Sequence, residues 1–125
     1  MPMRALVVDD SRAMRSILSK ILARLGFEVA QAGDGREAIA ALDGSPAPVD
    51  LVLSDWNMPE MNGLEFVKAL RANPKYEQVT VVMVTTETHI DQMVTALTAG
   101  ANEYIMKPFT AEMVEDKLRL LQVVK

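Results

Sequence analysis

The sequence predicts an α/β fold, a doubly wound sheet of five parallel strands with helices on both faces. Three observations carry this expectation. Short apolar runs alternate five times with stretches of helical periodicity. The runs at residues 51–53 and 79–84 show no polar alternation, as strands covered on both faces do not. Parallel neighbours need a crossover, and the intervening helices supply it.

In chain order, residues 5–8 form a β-rich apolar run. From Met14 the apolar positions Ile17, Leu18, Ile21, Leu22 and Leu25 fall at helical spacing until Gly26, which suits a helix end. Residues 27–30 restart a strand, Asp34-Gly35 reads as a turn, and Ala38, Ile39 and Leu42 mark a second helix before a loop over 44–48. Residues 51–53 are the third strand and Leu64, Val67 and Leu70 the third helix. After the fourth strand at 79–84, Ile90, Met93, Val94 and Leu97 outline the fourth helix. Residues 103–106 make the fifth strand, and Met113, Val114, Leu118 and Leu121 the closing helix.

The length of 125 residues suits a single domain, 1–125, with the last helix using up residues 110–125 and leaving no room for an output module. A net charge of −4 argues against nucleic-acid binding, which draws its affinity from lysine and arginine on phosphates. The absence of cysteine removes disulfides, thiolate metal sites and cysteine nucleophiles. The N-terminus is unlike a signal peptide and no apolar run spans a bilayer, so the expectation is a soluble cytoplasmic protein without membrane insertion.

In doubly wound sheets, ligands bind beyond the carboxyl ends of the strands. Asp9 and Asp10 follow the first strand, Asp55 the third, Thr85 the fourth and Lys107 the fifth. Three carboxylates gathered at one edge repel one another unless a cation neutralises them, and oxygen ligands favour a hard ion such as Mg2+. Lys107 adds a positive charge and Thr85 a hydroxyl, groups suited to the oxygens of a phosphoryl group on a neighbouring carboxylate.

With Val7-Val8-Asp9-Asp10-Ser11, Ser54-Asp55-Trp56-Asn57-Met58-Pro59, Thr85 and Lys107-Pro108-Phe109, the chain resembles the receiver domains of two-component response regulators. The stretch from Asp55 to Gly63 is similar to that of chemotaxis regulators. The resemblance implies a flavodoxin-like (βα)5 sheet with strand order 2-1-3-4-5. It implies a phosphoacceptor signalling protein, not an enzyme, with Asp55 taking a phosphoryl group from a sensor histidine kinase. Asp10 and Asp55 would bind Mg2+ directly, Asp9 through water and Asn57 by its backbone carbonyl, while Lys107 and Thr85 hold phosphoryl oxygens. Thr85 and Tyr104 would form a switch that remodels the surface of the fourth helix, fifth strand and fifth helix. Targets would bind there, with the flagellar motor switch the preferred partner and a phosphatase a further one. A cis Lys107–Pro108 bond also follows from the family. Thr86 departs from the alanine or glycine common at its position and is expected to slow phosphoryl entry or hydrolysis. Asn57 and Glu87 lie where family side chains influence the attacking water, which implies a short-lived phosphoryl state.

Plainer roles compete at each position. Asp9-Asp10-Ser11 suits a helix cap, Asp55 a loop carboxylate, Lys107 a solvated lysine, and Thr85 and Tyr104 strand packing. His89 is expected to face solvent and most of the nine methionines to fill the core. Rival functions on the same fold are a flavodoxin, an aspartate-dependent phosphatase of the haloacid dehalogenase type, a phosphorelay intermediate or a non-chemotaxis receiver. Asp55-Trp56-Asn57 lacks the second aspartate of such phosphatases, and there is no glycine-rich phosphate loop.

Overall fold

The structure, a computed structural model, describes residues 3–86 and 90–124. Its strands are β1 (Met3–Val8), β2 (Phe27–Ala32), β3 (Leu51–Asp55), β4 (Thr80–Thr86) and β5 (Glu103–Lys107). They pair in parallel in the order β2-β1-β3-β4-β5, so the chain reverses direction across the sheet between β1 and β3. The helices are α1 (Arg12–Arg24), α2 (Gly35–Asp43), α3 (Gly63–Arg71), α4 (Ile90–Ala99) and α5 (Ala111–Leu120), with a 3-10 turn at Pro74–Tyr76.

Strand alternation divides the core in two. Ala5 and Val7 of β1 meet Leu18 and Leu22 of α1 and Val114 and Leu118 of α5 on one face. Leu6 and Val8 belong to the opposite cluster, with Phe66 and Leu70 of α3, Ala38 of α2 and Met93 of α4. Phe66, Leu18, Leu22, Leu70 and Leu118 are fully buried, and each contributes about 1.5–3 kcal/mol by leaving water. The helix starts are secured locally. Ser11 accepts from the Met14 N–H, Asp34 from Glu37 and Thr110 from Met113, and Asn62 with Glu65 forms a reciprocal capping box.

Three expectations need correction. β3 runs to Asp55, β4 to Thr86 and β5 to Lys107, so Asp55, Thr85 and Lys107 lie within their strands and not after them, paired in register with parallel neighbours. β2 runs to Ala32, because Val7 and Val8 offer backbone partners to Gln31 and Ala32. It is also an edge strand with Glu28, Ala30 and Gln31 exposed, so cover on both faces describes the central strands only. The apolar stripes are wider than the buried ones: Ile17, Val94, Leu97 and Met113 are exposed, since a helix on a sheet buries only the residues directly over the strands. Most of the described methionines do belong to the core: Met58, Met83 and Met93 are buried and Met3, Met14 and Met61 pack half-buried against it, while Met106 is half-buried and Met113 exposed. Glu87 and His89 lie outside the described residues. Among the described residues, no helix is long and apolar enough to cross a membrane.

Candidate functional site

Parallel pairing lines up the carboxyl ends of the strands, and their polar residues converge there. β1 ends at Val8, so the next two residues, Asp9 and Asp10, leave the sheet in the turn before α1. Asp55 closes β3, one strand over. One carboxylate oxygen from each of Asp9, Asp10 and Asp55 lies within 4.8 Å of the others. Lys107, the last residue of β5, reaches back across β4 to place Nζ 3.5 Å from Asp9 Oδ2 and 3.4 Å from Asp55 Oδ1.

The cluster is graded in exposure: Asp9 is buried, Asp55 half-buried and Asp10 exposed. Burial pushes the Asp9 carboxyl above its ordinary range, and the Asp55 charge adds to the rise. The Ser11 N–H, donating to Asp9 Oδ1 at 2.8 Å, and Lys107 oppose it without cancelling it. The cap is thus made by Ser11, and Asp9 and Asp10 are left for other work. Asp55 Oδ1 also accepts the Trp56 N–H at 2.8 Å, which sets the carboxylate direction relative to the strand end. One ammonium beside three carboxylates leaves an excess of negative charge, and hard oxygen donors of this kind suit a divalent cation.

Thr85 is buried, one position beyond the β4 residue that faces Asp55, and its hydroxyl donates to the Thr86 carbonyl at 3.4 Å. By alternation it continues the row of Val81 and Met83 on the α2, α3 and α4 face of the sheet. Tyr104 packs half-buried against that same cluster, and its register partner is Met83, so Thr85 and Tyr104 are diagonal neighbours on one face. Thr86 is exposed and pairs in register with Lys107. Asn57 is exposed in the loop after Asp55. The Lys107–Pro108 peptide bond is cis.

Two supporting residues were not singled out by sequence. Gly63 opens α3, and its N–H donates to the Trp56 carbonyl at 2.8 Å. A Cβ there would stand 2.5 Å from the Asp55 carbonyl oxygen, so only glycine lets the helix start press against the end of β3. Its place at the end of the Asp55 to Gly63 stretch was the available signal. Arg15 donates from Nη1 to the Asp9 carbonyl at 2.6 Å and from Nε to Gln31 Oε1 at 3.2 Å, tying the acidic turn to β2. Nothing in local sequence distinguishes it from other helix-surface arginines.

A five-stranded parallel sheet with an acidic trio, a lysine between two of its members and a buried threonine at the strand ends defines a receiver-type signalling domain. The family model described as response regulator receiver domain matches residues 5–119, and the chain belongs to that family. It is 46% identical over 120 residues to the chemotaxis protein CheY1 of Helicobacter pylori strain J99, covering 95% of this chain and 96% of that one. With a chemotaxis protein CheY homolog of Campylobacter jejuni it shares 50% identity over 117 residues, or 93% and 89% of the two chains. Among solved structures, the chemotaxis response regulator CheY4 of Vibrio cholerae superposes with a TM-score of 0.88 at 37% identity, over 97% of this chain and 99% of that one.

Proposed function

We propose that residues 1–125 act as a receiver that takes a phosphoryl group onto Asp55 from a phosphohistidine of a sensor histidine kinase. The observation that carries this reading is the gathering of the Asp9, Asp10 and Asp55 carboxylates, with the Lys107 ammonium beside Asp9 and Asp55. In the proposed step an Asp55 carboxylate oxygen attacks phosphorus while the phosphorus–nitrogen bond breaks, and the imidazole nitrogen leaves with the bonding pair. The Trp56 N–H holds one Asp55 oxygen and so orients the nucleophile. Lys107 and Thr85 then bind oxygens of the transferred group.

Asp10 and Asp55, with the Asn57 backbone carbonyl, would hold Mg2+ and Asp9 would orient it through water. When bound, the ion supplies positive charge against the phosphoryl oxygens. After transfer, the added charge draws Thr85 toward the site, and Tyr104, on the same face, moves into the space left. The output is a change in the surface of α4, β5 and α5. Similarity to chemotaxis proteins supports a role in chemotaxis, with a flagellar motor switch as the target and a phosphatase resetting the state.

The test is incubation with acetyl phosphate, with and without magnesium, followed by intact mass and by fluorescence of the buried Trp56 beside the acceptor. Wild type should gain one phosphoryl mass and change fluorescence only with magnesium, and Asp55→Asn should do neither. A phosphoryl gain that persists in Asp55→Asn overturns the assignment of the acceptor.

A further inference from the structure

We infer that Lys117 is a positioning residue for Tyr104, a latch that holds the ring in its present place; the inference rests on the Thr85 and Tyr104 switch proposed above. Tyr104 lies on the edge strand β5, where one flank of the ring has no neighbouring strand to confine it. Its backbone N–H donates to Glu103 Oε1 at 2.9 Å, which folds the Glu103 side chain back along its own strand. Lys117 of α5 places Nζ 3.7 Å from the other oxygen, Glu103 Oε2, and 5.8 Å from the centre of the Tyr104 ring. Three side chains from two elements thus close around the rim of the sheet.

A cation over an aromatic face is attracted by the ring quadrupole. A free lysine forfeits much of that attraction to the freedom of its long stem. Glu103, itself held by a backbone N–H, fixes where the ammonium rests and removes part of that loss. Movement of the ring away from the ammonium gives up the contact, so Lys117 biases Tyr104 toward its observed position without touching Asp55 or its neighbours. The Lys117 and Glu103 side chains are 30% and 32% exposed, which makes the contact weak and reversible. The fitting role is a bias that suppresses spontaneous switching and that phosphorylation overcomes. The expected size is about a two- to fivefold change in the Tyr104 conformational equilibrium, as for a cation–ring contact at a partly exposed site.

The chain has two tyrosines, which allows a direct reading by fluorine NMR of protein labelled with 3-fluorotyrosine. Tyr76, buried and hydrogen-bonded to Asp43, serves as internal reference and as the check that each variant is folded. The Tyr104 signal is recorded with and without magnesium and beryllofluoride, a mimic of the aspartyl phosphate. Without activator, Lys117→Met should move that signal toward its activated position, Glu103→Gln should move it less, and Lys117→Arg should leave it near wild type. A wild-type signal that moves on activation together with unshifted Lys117→Met and Glu103→Gln signals overturns the latch alone. A wild-type Tyr104 signal that ignores beryllofluoride, while the mass test succeeds, overturns the switch and the latch with it.

Discussion

The two edges of the sheet handle buried polarity in opposite ways. At the amino edge, Arg71 of α3 donates to the carbonyls of Gly100, Tyr76, Glu77 and Val79 and to Asn102 Oδ1, at 2.7–3.2 Å. Asn102 Oδ1 also accepts the Val81 N–H at 2.8 Å, and the Tyr76 hydroxyl bonds to Asp43. At the carboxyl edge, three carboxylates gather, one ammonium lies 3.4–3.5 Å from only two of them, Asp9 and Asp55, and burial pushes the Asp9 carboxyl above its ordinary range. The first network satisfies its members and fixes three loops. The second leaves negative charge in excess, which suits a divalent cation. Stability and function are separated along the strands by which end the polar groups occupy.

The largest expected effect lies at the satisfied edge. Arg71→Ala leaves several carbonyls without a donor and should cost about 3 kcal/mol in urea unfolding, since hydrogen bonds to charged groups are each worth about 1.5–3 kcal/mol before relaxation and water repair. Arg71→Lys should recover less than half, because an ammonium lacks the planar fork. In both variants the final phosphoryl gain should match wild type. A loss below about 1 kcal/mol would mean that water serves those carbonyls equally well.

The reverse sign is expected at the other edge. Asp9→Asn keeps an acceptor for the Ser11 N–H but removes one of the repelling charges, and should stabilise the magnesium-free protein by about 1 kcal/mol. Thermal melts with saturating magnesium should show a smaller gain, since wild type then receives a stabilisation the variant has lost. A destabilised variant would show that Lys107 already balances the cluster.

A further effect is a pH dependence at the amino edge. Burial, with the Asp43 carboxylate beside it, pushes the Tyr76 hydroxyl up to about 12 from the ordinary 10.0. The folded state therefore holds this proton more tightly than the unfolded state. The contribution is complete below pH 10 and is lost as pH rises from there toward 12. Tyr76→Phe should narrow the difference in urea midpoint between pH 9 and pH 11. An unchanged difference would place the alkaline loss in other groups.

Some of this was legible because it is local. The five strands, their helices and the polar residues Asp9, Asp10, Asp55, Thr85 and Lys107 show up as breaks in apolar runs, and a run needs no partner to be recognised. The order β2-β1-β3-β4-β5 came only from family likeness, because which strands pair depends on contacts distant in sequence. Nothing in the local sequence sets Arg71, Glu103 or Lys117 apart from other charged residues; each acquires its role from residues brought in by another element. Gly63 was visible as a glycine, but not as the point where α3 touches the Asp55 carbonyl.

The amino-acid sequence by itself determined the alternation of elements, the two-faced core and the chemical type of each strand end, because periodicity and residue type act over a few residues. Only the tertiary structure decided that Lys107 stands between Asp9 and Asp55, that Val94 and Leu97 face solvent, and that Lys117 lies over Tyr104. Those outcomes depend on register and on how far each helix lies over the sheet, quantities set by packing among distant segments.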